Sequence, residues 1–244
     1  KQNGKELVDI ITPAEIKKVI KKCENDRDRA FISLLYECGF RMAEILGMKM
    51  RDVEHNQHYS KVRVTGKTGP RRVMVVSSVP YLNKYFDVHP DRENSNAFVW
   101  LSLGTYHHNE RLLYIGAKKI IKRAFQRANI VKKRIYPHLF RHSRATELAS
   151  HLTEAQMKEY FGWVKDSDTP SVYVHMSGRD VDTAIFKYHG MDHEENGKEE
   201  RMDQQLPCSR CTTLNPSGGK YCMKCGLALT LKVALETEEM IKEE

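Results

Sequence analysis

The stretch that decides the fold is Pro137-His138-Leu139-Phe140-Arg141-His142-Ser143-Arg144-Ala145-Thr146. Pro137 stands where a helix starts, because its missing N–H costs nothing there and its fixed φ suits the first turn. His138 and Arg141, three residues apart, then share one face of that helix near its N-terminus. A guanidinium beside an imidazole, at the positive end of a helix dipole, suits a phosphate whose charge grows during reaction. Such pairs also occur by chance on solvated helix faces, so the meaning of this one depends on its company along the chain.

Working outward, the flanking sequence is mostly helical. Thr12-Pro13-Ala14-Glu15 reads as a capping box launching a helix that carries Ile16, Val19 and Ile20. Asp26 and Asp28 precede a second apolar run, Phe31 to Tyr36, which ends near Gly39; a third short helix follows through Ala43, Ile45 and Leu46. From Tyr59 the period drops to two. Val62 and Val64 alternate with charged neighbours, Gly66-Lys67-Thr68-Gly69-Pro70 breaks the chain, and Val73, Val75 and Val76 follow, which predicts a β-hairpin with Lys67 in or beside its turn.

Pro80 opens another short helix, and the polar stretch from His89 to Glu110 reads as irregular around a short strand at Phe98 to Leu101. Helices are expected from Tyr114 to Ala128, from His138 to Ser150, from Thr153, and again after Thr169-Pro170-Ser171. Val181, Ala184, Ile185 and Tyr188 also fall at helical spacing.

Composition narrows the class. With 244 residues, 40% hydrophobic and 30% charged, the chain has material for one or two cored domains. No apolar run approaches the roughly 20 residues that a membrane helix needs, and no apolar signal region follows Lys1-Gln2-Asn3-Gly4-Lys5. A secreted or membrane-spanning protein is therefore not expected, and the expected location is cytoplasmic. A first residue of Lys suggests a processed chain or a piece of a longer one, with a domain missing upstream.

The net charge of +8 is unevenly shared: residues 192–244 hold 7 Lys+Arg against 11 Asp+Glu, leaving 33 against 21 on residues 1–191. The basic part, at +12, is where a polyanion would bind, although a merely soluble basic domain has the same signature.

Read in order, Gly39-Phe40-Arg41-Met42-Ala43-Glu44, the hairpin Lys67, Pro137 to Thr146, Phe161-Gly162-Trp163 and Val172-Tyr173-Val174-His175 resemble the catalytic domain of the tyrosine recombinases, the phage integrase family. The resemblance runs from about Thr12 to Met191. It implies an α+β fold, mostly helical with a small antiparallel β-sheet, over residues 1–191. It also implies site-specific cleavage and rejoining of double-stranded DNA through a covalent 3′-phosphotyrosyl intermediate, without ATP or a catalytic metal. Arg41 and Arg141 would grip the non-bridging oxygens of the scissile phosphate, and Lys67 would protonate the leaving 5′ oxygen. His138 would assist proton transfer, Trp163 would take a place often held by His, and Tyr173 would be the nucleophile.

The family further implies a homotetramer at the DNA synapse, a monomer or weak oligomer without DNA, and an N-terminal helical domain that completes the clamp on the duplex. Without that domain, weak DNA affinity is expected. The chemistry is coherent on its own terms. A phenol with an ordinary pKa near 10 attacks at neutral pH only when its proton is removed or its charge is stabilised. Residues 1–191 offer no carboxylate cluster of the kind that holds catalytic Mg²⁺.

Plainer readings stand beside these. Arg41 could simply neutralise Glu44, Lys67 could be a solvated turn residue, and Trp163 could be core packing. Tyr160, with Met157 and Phe161, and Tyr188 read as structural rather than nucleophilic. A type IB topoisomerase shares the same chemistry, and a catalytically idle DNA-binding adaptor could keep the same fold.

Six cysteines sort by spacing. Cys23 and Cys38 stand alone in helical patterns and read as buried thiols. Cys208, Cys211, Cys222 and Cys225 form two C-x2-C knuckles ten residues apart, the spacing of a tetrahedral Zn²⁺ site, with Asn215 to Gly219 as the turn between them. Disulfides and a redox pair fit this setting less well. Four thiolates close the coordination shell, so the metal would be structural. The pattern resembles a small zinc ribbon at 208–226, joined by a polar linker at 192–207 and followed by a tail at 227–244 that could be helical through Leu227, Leu231, Val233, Ala234 and Leu235. A ribbon joined to such a catalytic domain hints at an archaeal or viral source.

Overall fold

The computed structural model describes residues 10–56, 58–131, 133–176, 206–208, 210–216, 219–229 and 233. Helix α2 (Asp26–Cys38) is buried along almost its whole length, Ala30 to Leu35 and Cys38 being nearly inaccessible. It starts at Asn25, whose side chain accepts from the Asp28 N–H at 2.9 Å, and it packs against α1 (Pro13–Lys21), α4 (Val79–Asp87) and α6 (Pro137–Ala149). A helix buried on nearly all sides needs partners on all sides, and α1 and α4 each present one amphipathic face to it. The capping box at Thr12 and Glu15 forms as expected, with the Thr12 N–H on the Glu15 carboxylate at 2.8 Å.

The antiparallel sheet has three strands in the order β1 (Val53–His55), β2 (Ser60–Gly66) and β3 (Gly69–Val75). Gly66 and Gly69 face each other, so Lys67 and Thr68 form a two-residue turn at the tip of the hairpin. Val62, Val64, Val73 and Val75 form the buried face. The exit from β3 is held by Glu37 on α2, whose carboxylate accepts the N–H groups of Val76, Ser77 and Ser78 at 2.7 to 2.8 Å.

The expected strand from Phe98 to Leu101 does not form. Its residues are as buried as a strand would require, but their partners change every step or two. Val99 N–H bonds to Met48, Trp100 C=O accepts from Leu112, and the Tyr85 hydroxyl donates to Val99 C=O at 2.8 Å. Only single bridges, Lys49 to Phe98 and Leu101 to Arg111, connect it to neighbours. What fixes the segment is Trp100, fully buried, stacked on Tyr85 and edge-on to Phe31. Strand β1 is the converse case, a short edge strand that the sequence reading did not anticipate.

Downstream, α5 (Tyr114–Arg127), α6, α7 (Glu154–Phe161) and α8 (Thr169–Met176) follow the expected order. Thr153 caps α7 through a second capping box with Gln156. The stripe from Val181 to Tyr188 lies outside the described residues, as do residues 230–232 and 234–244 of the tail, where the possible helix was expected, and most of the 192–207 linker. Its last two residues are not linker. Leu206–Pro207 (β4) pairs with Leu214–Asn215 (β5), so the cysteine module starts before Cys208. At its other end Leu227 and Ala228 are buried and Ala228 bridges to Tyr221, so the expected boundary at 226 falls inside the module.

Among the described residues no helix is long and apolar enough to cross a membrane.

Candidate active site

The site is built around the C-terminal end of α7. Gly162 ends that helix in the left-handed region at φ +59°, which leaves the carbonyls of Tyr160, Phe161 and Gly162 pointing away from the helix. Three arginines from three different elements use them. Arg141 on α6 donates to Phe161 O at 2.5 Å and to Gly39 O at 3.1 Å. Arg41, the N-cap residue of α3 (Met42–Gly47), reaches Gly162 O at 3.4 Å. Arg71 on β3 donates to Tyr160 O at 3.0 Å. The hairpin turn is tied to the same point, since the Thr68 hydroxyl donates to Gly162 O at 3.1 Å.

Gly39 explains how residues 39 to 41 reach this place. It closes α2 at φ +57°, turning the chain so that Arg41 can cap α3. A Cβ on Gly39 would lie 2.8 Å from the Phe161 ring and 3.3 Å from the Arg141 Cα. Glycine is required there both by conformation and by the closeness of α6 and α7.

The charges do not balance. Glu44 is the carboxylate paired with this group, bonding Arg41 at 2.9 Å and Arg71 through both oxygens at 2.8 and 2.9 Å. Burial raises its pKa, but the bonds from Arg71 and the Arg41 N–H outweigh that and hold it down to about 2. Arg141 is only 5% exposed. Burial, then the positive charge of Arg41, pushes its guanidinium down to about 9, so it remains protonated at neutral pH. Three guanidiniums beside one carboxylate leave an excess of two positive charges at a partly exposed place. That excess selects for an anion with more than one oxygen to grip.

Trp163 directly follows Gly162. Its ring stacks on Phe161 with centroids 4.8 Å apart, and on Tyr173 of α8 at 6.0 Å with an interplanar angle of 5°. The Arg141 guanidinium lies 5.3 Å from the Trp163 ring centroid. The Tyr173 hydroxyl is hydrogen-bonded to Nδ1 of His142. Burial raises the Tyr173 phenol above its ordinary pKa, Arg141 acting in the opposite sense. Tyr160, by contrast, gives its hydroxyl to the Glu37 carbonyl at 2.9 Å and packs edge-on to Phe161, as a structural tyrosine would.

Arg41, Arg141, Trp163 and Tyr173 are therefore brought together by one turn of chain, and the remaining two candidates flank them. His138 and Arg41 line a cleft of about 400 Å³ together with Phe40 and Tyr136. Lys67 is exposed and lines a groove of about 960 Å³ with Arg71, Lys158, Trp163 and Lys165. Arg41 does neutralise Glu44, as the plainer reading had it, and it also reaches the α7 carbonyl.

Two members were not anticipated. Arg71 could have been found from strand alternation, since it shares its parity with Val73 and Val75 and so falls on the buried face of the sheet, where an arginine needs a partner. His142 is part of the quoted motif, but nothing in the spacing pairs it with Tyr173, 31 residues on.

The four module cysteines are a separate centre. Their sulfur atoms all lie within 4.8 Å of one another, with Cys208 to Cys225 at 3.6 Å and Cys211 to Cys222 at 3.5 Å. Thiolates around a tetrahedral Zn²⁺ at about 2.3 Å sit about 3.8 Å apart, so this donor set fits the metal. It does not fit disulfides, whose sulfurs lie about 2.05 Å apart. The Lys224 N–H points at the Cys222 sulfur at 3.4 Å, a donor suited to stabilising a thiolate. Cys23 and Cys38 are buried thiols in the helical core, as expected.

This helical catalytic fold, with its small sheet and its cluster of arginines, is that of the tyrosine recombinases. The structure of XerH site-specific recombinase bound to a palindromic difH substrate superimposes with a TM-score of 0.58 at 19% identity, covering 78% of this chain and 56% of that one. The model of the phage integrase family matches residues 9–179, and the chain belongs to that family. It is 30% identical over 168 residues to tyrosine recombinase XerD of Staphylococcus epidermidis, covering 67% of this chain and 55% of the relative. It is 25% identical over 199 residues to transposase A from transposon Tn554 of Staphylococcus aureus, covering 75% of this chain and 53% of the relative. The chain thus spans about half the length of the curated relatives it matches.

Proposed function

We propose that the protein breaks and rejoins double-stranded DNA at specific sites, with Tyr173 as the nucleophile. The observation that carries this reading is the gathering of Arg41, Arg141 and Tyr173 at the end of α7 with a surplus of positive charge. Arg41 and Arg141 bind the non-bridging oxygens of one phosphodiester. As the Tyr173 oxygen attacks, charge builds on those oxygens, and the two fixed guanidiniums stabilise it. Trp163 stacks flat on the phenol, and its indole N–H supplies one hydrogen bond to a phosphate oxygen. Lys67, carried on the hairpin tip that Thr68 ties to Gly162, protonates the leaving 5′ oxygen. His138, on the Arg41 side of the site, assists proton transfer.

The covalent 3′-phosphotyrosyl link conserves the energy of the broken bond, so rejoining needs no ATP. Tyr173 stands beside the Arg141 of its own chain, which favours attack on a phosphate held by the same subunit. The +12 balance of residues 1–191 supports DNA as the substrate. Assembly follows the family pattern of four subunits at a synapse, in the cytoplasm on the nucleoid. Cys208, Cys211, Cys222 and Cys225 hold one structural Zn²⁺ that fastens the ribbon.

Tyr173→Phe tests the reading. The variant should retain DNA binding and form no covalent adduct with nicked duplexes that trap the intermediate. An adduct that persists would place the nucleophile elsewhere.

A further inference from the structure

The Tyr173 hydroxyl, on a partly buried side chain, meets another side chain. It is hydrogen-bonded to Nδ1 of His142, the residue after Arg141, with ring centroids 6.2 Å apart at 39°. His142 sits inside α6, where its carbonyl accepts from the Thr146 hydroxyl at 3.0 Å. Tyr173 is pressed flat against Trp163.

The groups around the phenol differ sharply in what they can do with its proton. Arg141 faces it, but a guanidinium has no lone pair to offer, and the Trp163 indole N–H only donates. Tyr136, which also acts on it, is itself a phenol with a hydroxyl proton of its own to place. His138 lies one helical turn from His142, ring centroids 6.3 Å apart. Among the described residues, the imidazole of His142 is the group in contact that can accept, in the tautomer that leaves Nδ1 unprotonated.

We propose that His142 is a catalytic residue, the base that takes the Tyr173 proton as the phenolic oxygen attacks phosphorus. The inference rests on Tyr173 being the nucleophile. In cleavage the Tyr173 oxygen–phosphorus bond forms and the phosphorus–5′ oxygen bond breaks. The phenolic proton passes to Nδ1 of His142, and the 5′ oxygen takes a proton from the general acid on the opposite side. In rejoining, the 5′ hydroxyl attacks, the tyrosine leaves, and the imidazolium returns the proton to it. One residue thus serves as base in one direction and acid in the other. The arginines stabilise the phosphate charge and take no part in the transfer.

The test uses the full chain and a pool of nicked duplexes of randomised sequence, following the rate of covalent adduct formation and, separately, DNA retention. His142→Ala should slow adduct formation by about 100-fold or more while DNA is retained. His142→Gln, which can accept the same hydrogen bond but cannot carry the proton, should be nearly as slow. Replacing Tyr173 by a ring-fluorinated tyrosine, whose phenol ionises near neutral pH, should recover about tenfold or more of the loss in His142→Ala, because the base is then less needed.

Full recovery in His142→Gln, or no recovery with the fluorinated ring, would make His142 a mere support and overturn the proposal. Faster cleavage in His142→Ala would make it a restraint on the phenol and overturn the proposal equally. An adduct that survives Tyr173→Phe would remove the nucleophile assignment and this proposal together. An adduct lost in Tyr173→Phe but formed at the parental rate in His142→Ala would remove this proposal alone.

Discussion

Glu44 carries an unusual load for one side chain. It is 5% exposed, it accepts the Arg41 backbone N–H at 2.9 Å as part of the α3 cap, and it pairs with two arginines. Because its folded pKa is depressed to about 2 from an ordinary 4.5, the stability it contributes is fully present above about pH 4.5 and is lost as the pH falls toward 2. The size of that loss is roughly 3 kcal/mol. Urea unfolding at a series of pH values should show a steeper decline for the parent than for Glu44→Gln over this range. Equal slopes would mean that Glu44 is not held in its charged form by the arginines.

At neutral pH the Gln variant should also be the less stable of the two, because the buried guanidinium of Arg71 and the partly exposed one of Arg41 lose their counter-charge. At this scale the ordered resemblance singled out Arg41, Arg141 and Tyr173, which the structure brings to one turn of chain. The sequence was silent where the partner is distant. Nothing local to Arg71 says that Glu44, 27 residues earlier, will meet it, and nothing local to His142 names Tyr173.

Elements were legible wherever capping and periodicity agreed. The Thr12 capping box, the helix starting at Thr153, the proline-started α6 and the Lys67 hairpin formed as read. The segment at Phe98 to Leu101 misled because apolar residues in a row announce burial and not ladder partners, and here burial came from Trp100 packing on Tyr85.

The cysteine module is an element whose placement no spacing could reveal. It docks on the hairpin side of the domain, where Tyr59 and Val76 pack against Leu227, Ala228, Leu229 and Val233, and where the His58 and Tyr221 rings lie 5.8 Å apart. A two-strand module of this size has little core of its own, so the bound metal would supply most of its folding energy. The purified protein should contain one zinc per chain. Stripping it with a chelator should raise amide exchange around Tyr59 and Val76 while leaving α2 protected. Unchanged exchange around Tyr59 and Val76 after complete metal loss would show that the docking does not depend on the ion.

Across the whole molecule, one short turn does the assembling. Residues 160 to 163 receive Arg71, Arg141, Arg41 and Thr68 and present Trp163 to Tyr173, so five elements meet at the end of α7. The order of motifs along the chain foretold this meeting, and family membership agrees with it. The meeting point itself, three consecutive carbonyls at a left-handed glycine, is visible only in three dimensions.

The central claim is that these side chains act on a single backbone phosphate through Tyr173. Its most direct test is mass spectrometry of the adduct trapped on nicked duplex DNA, after digestion of the protein and of the DNA. The account predicts one modified peptide, carrying a nucleotide joined through its 3′ phosphate to Tyr173. A nucleotide found on any other residue, or joined through its 5′ phosphate, would contradict it.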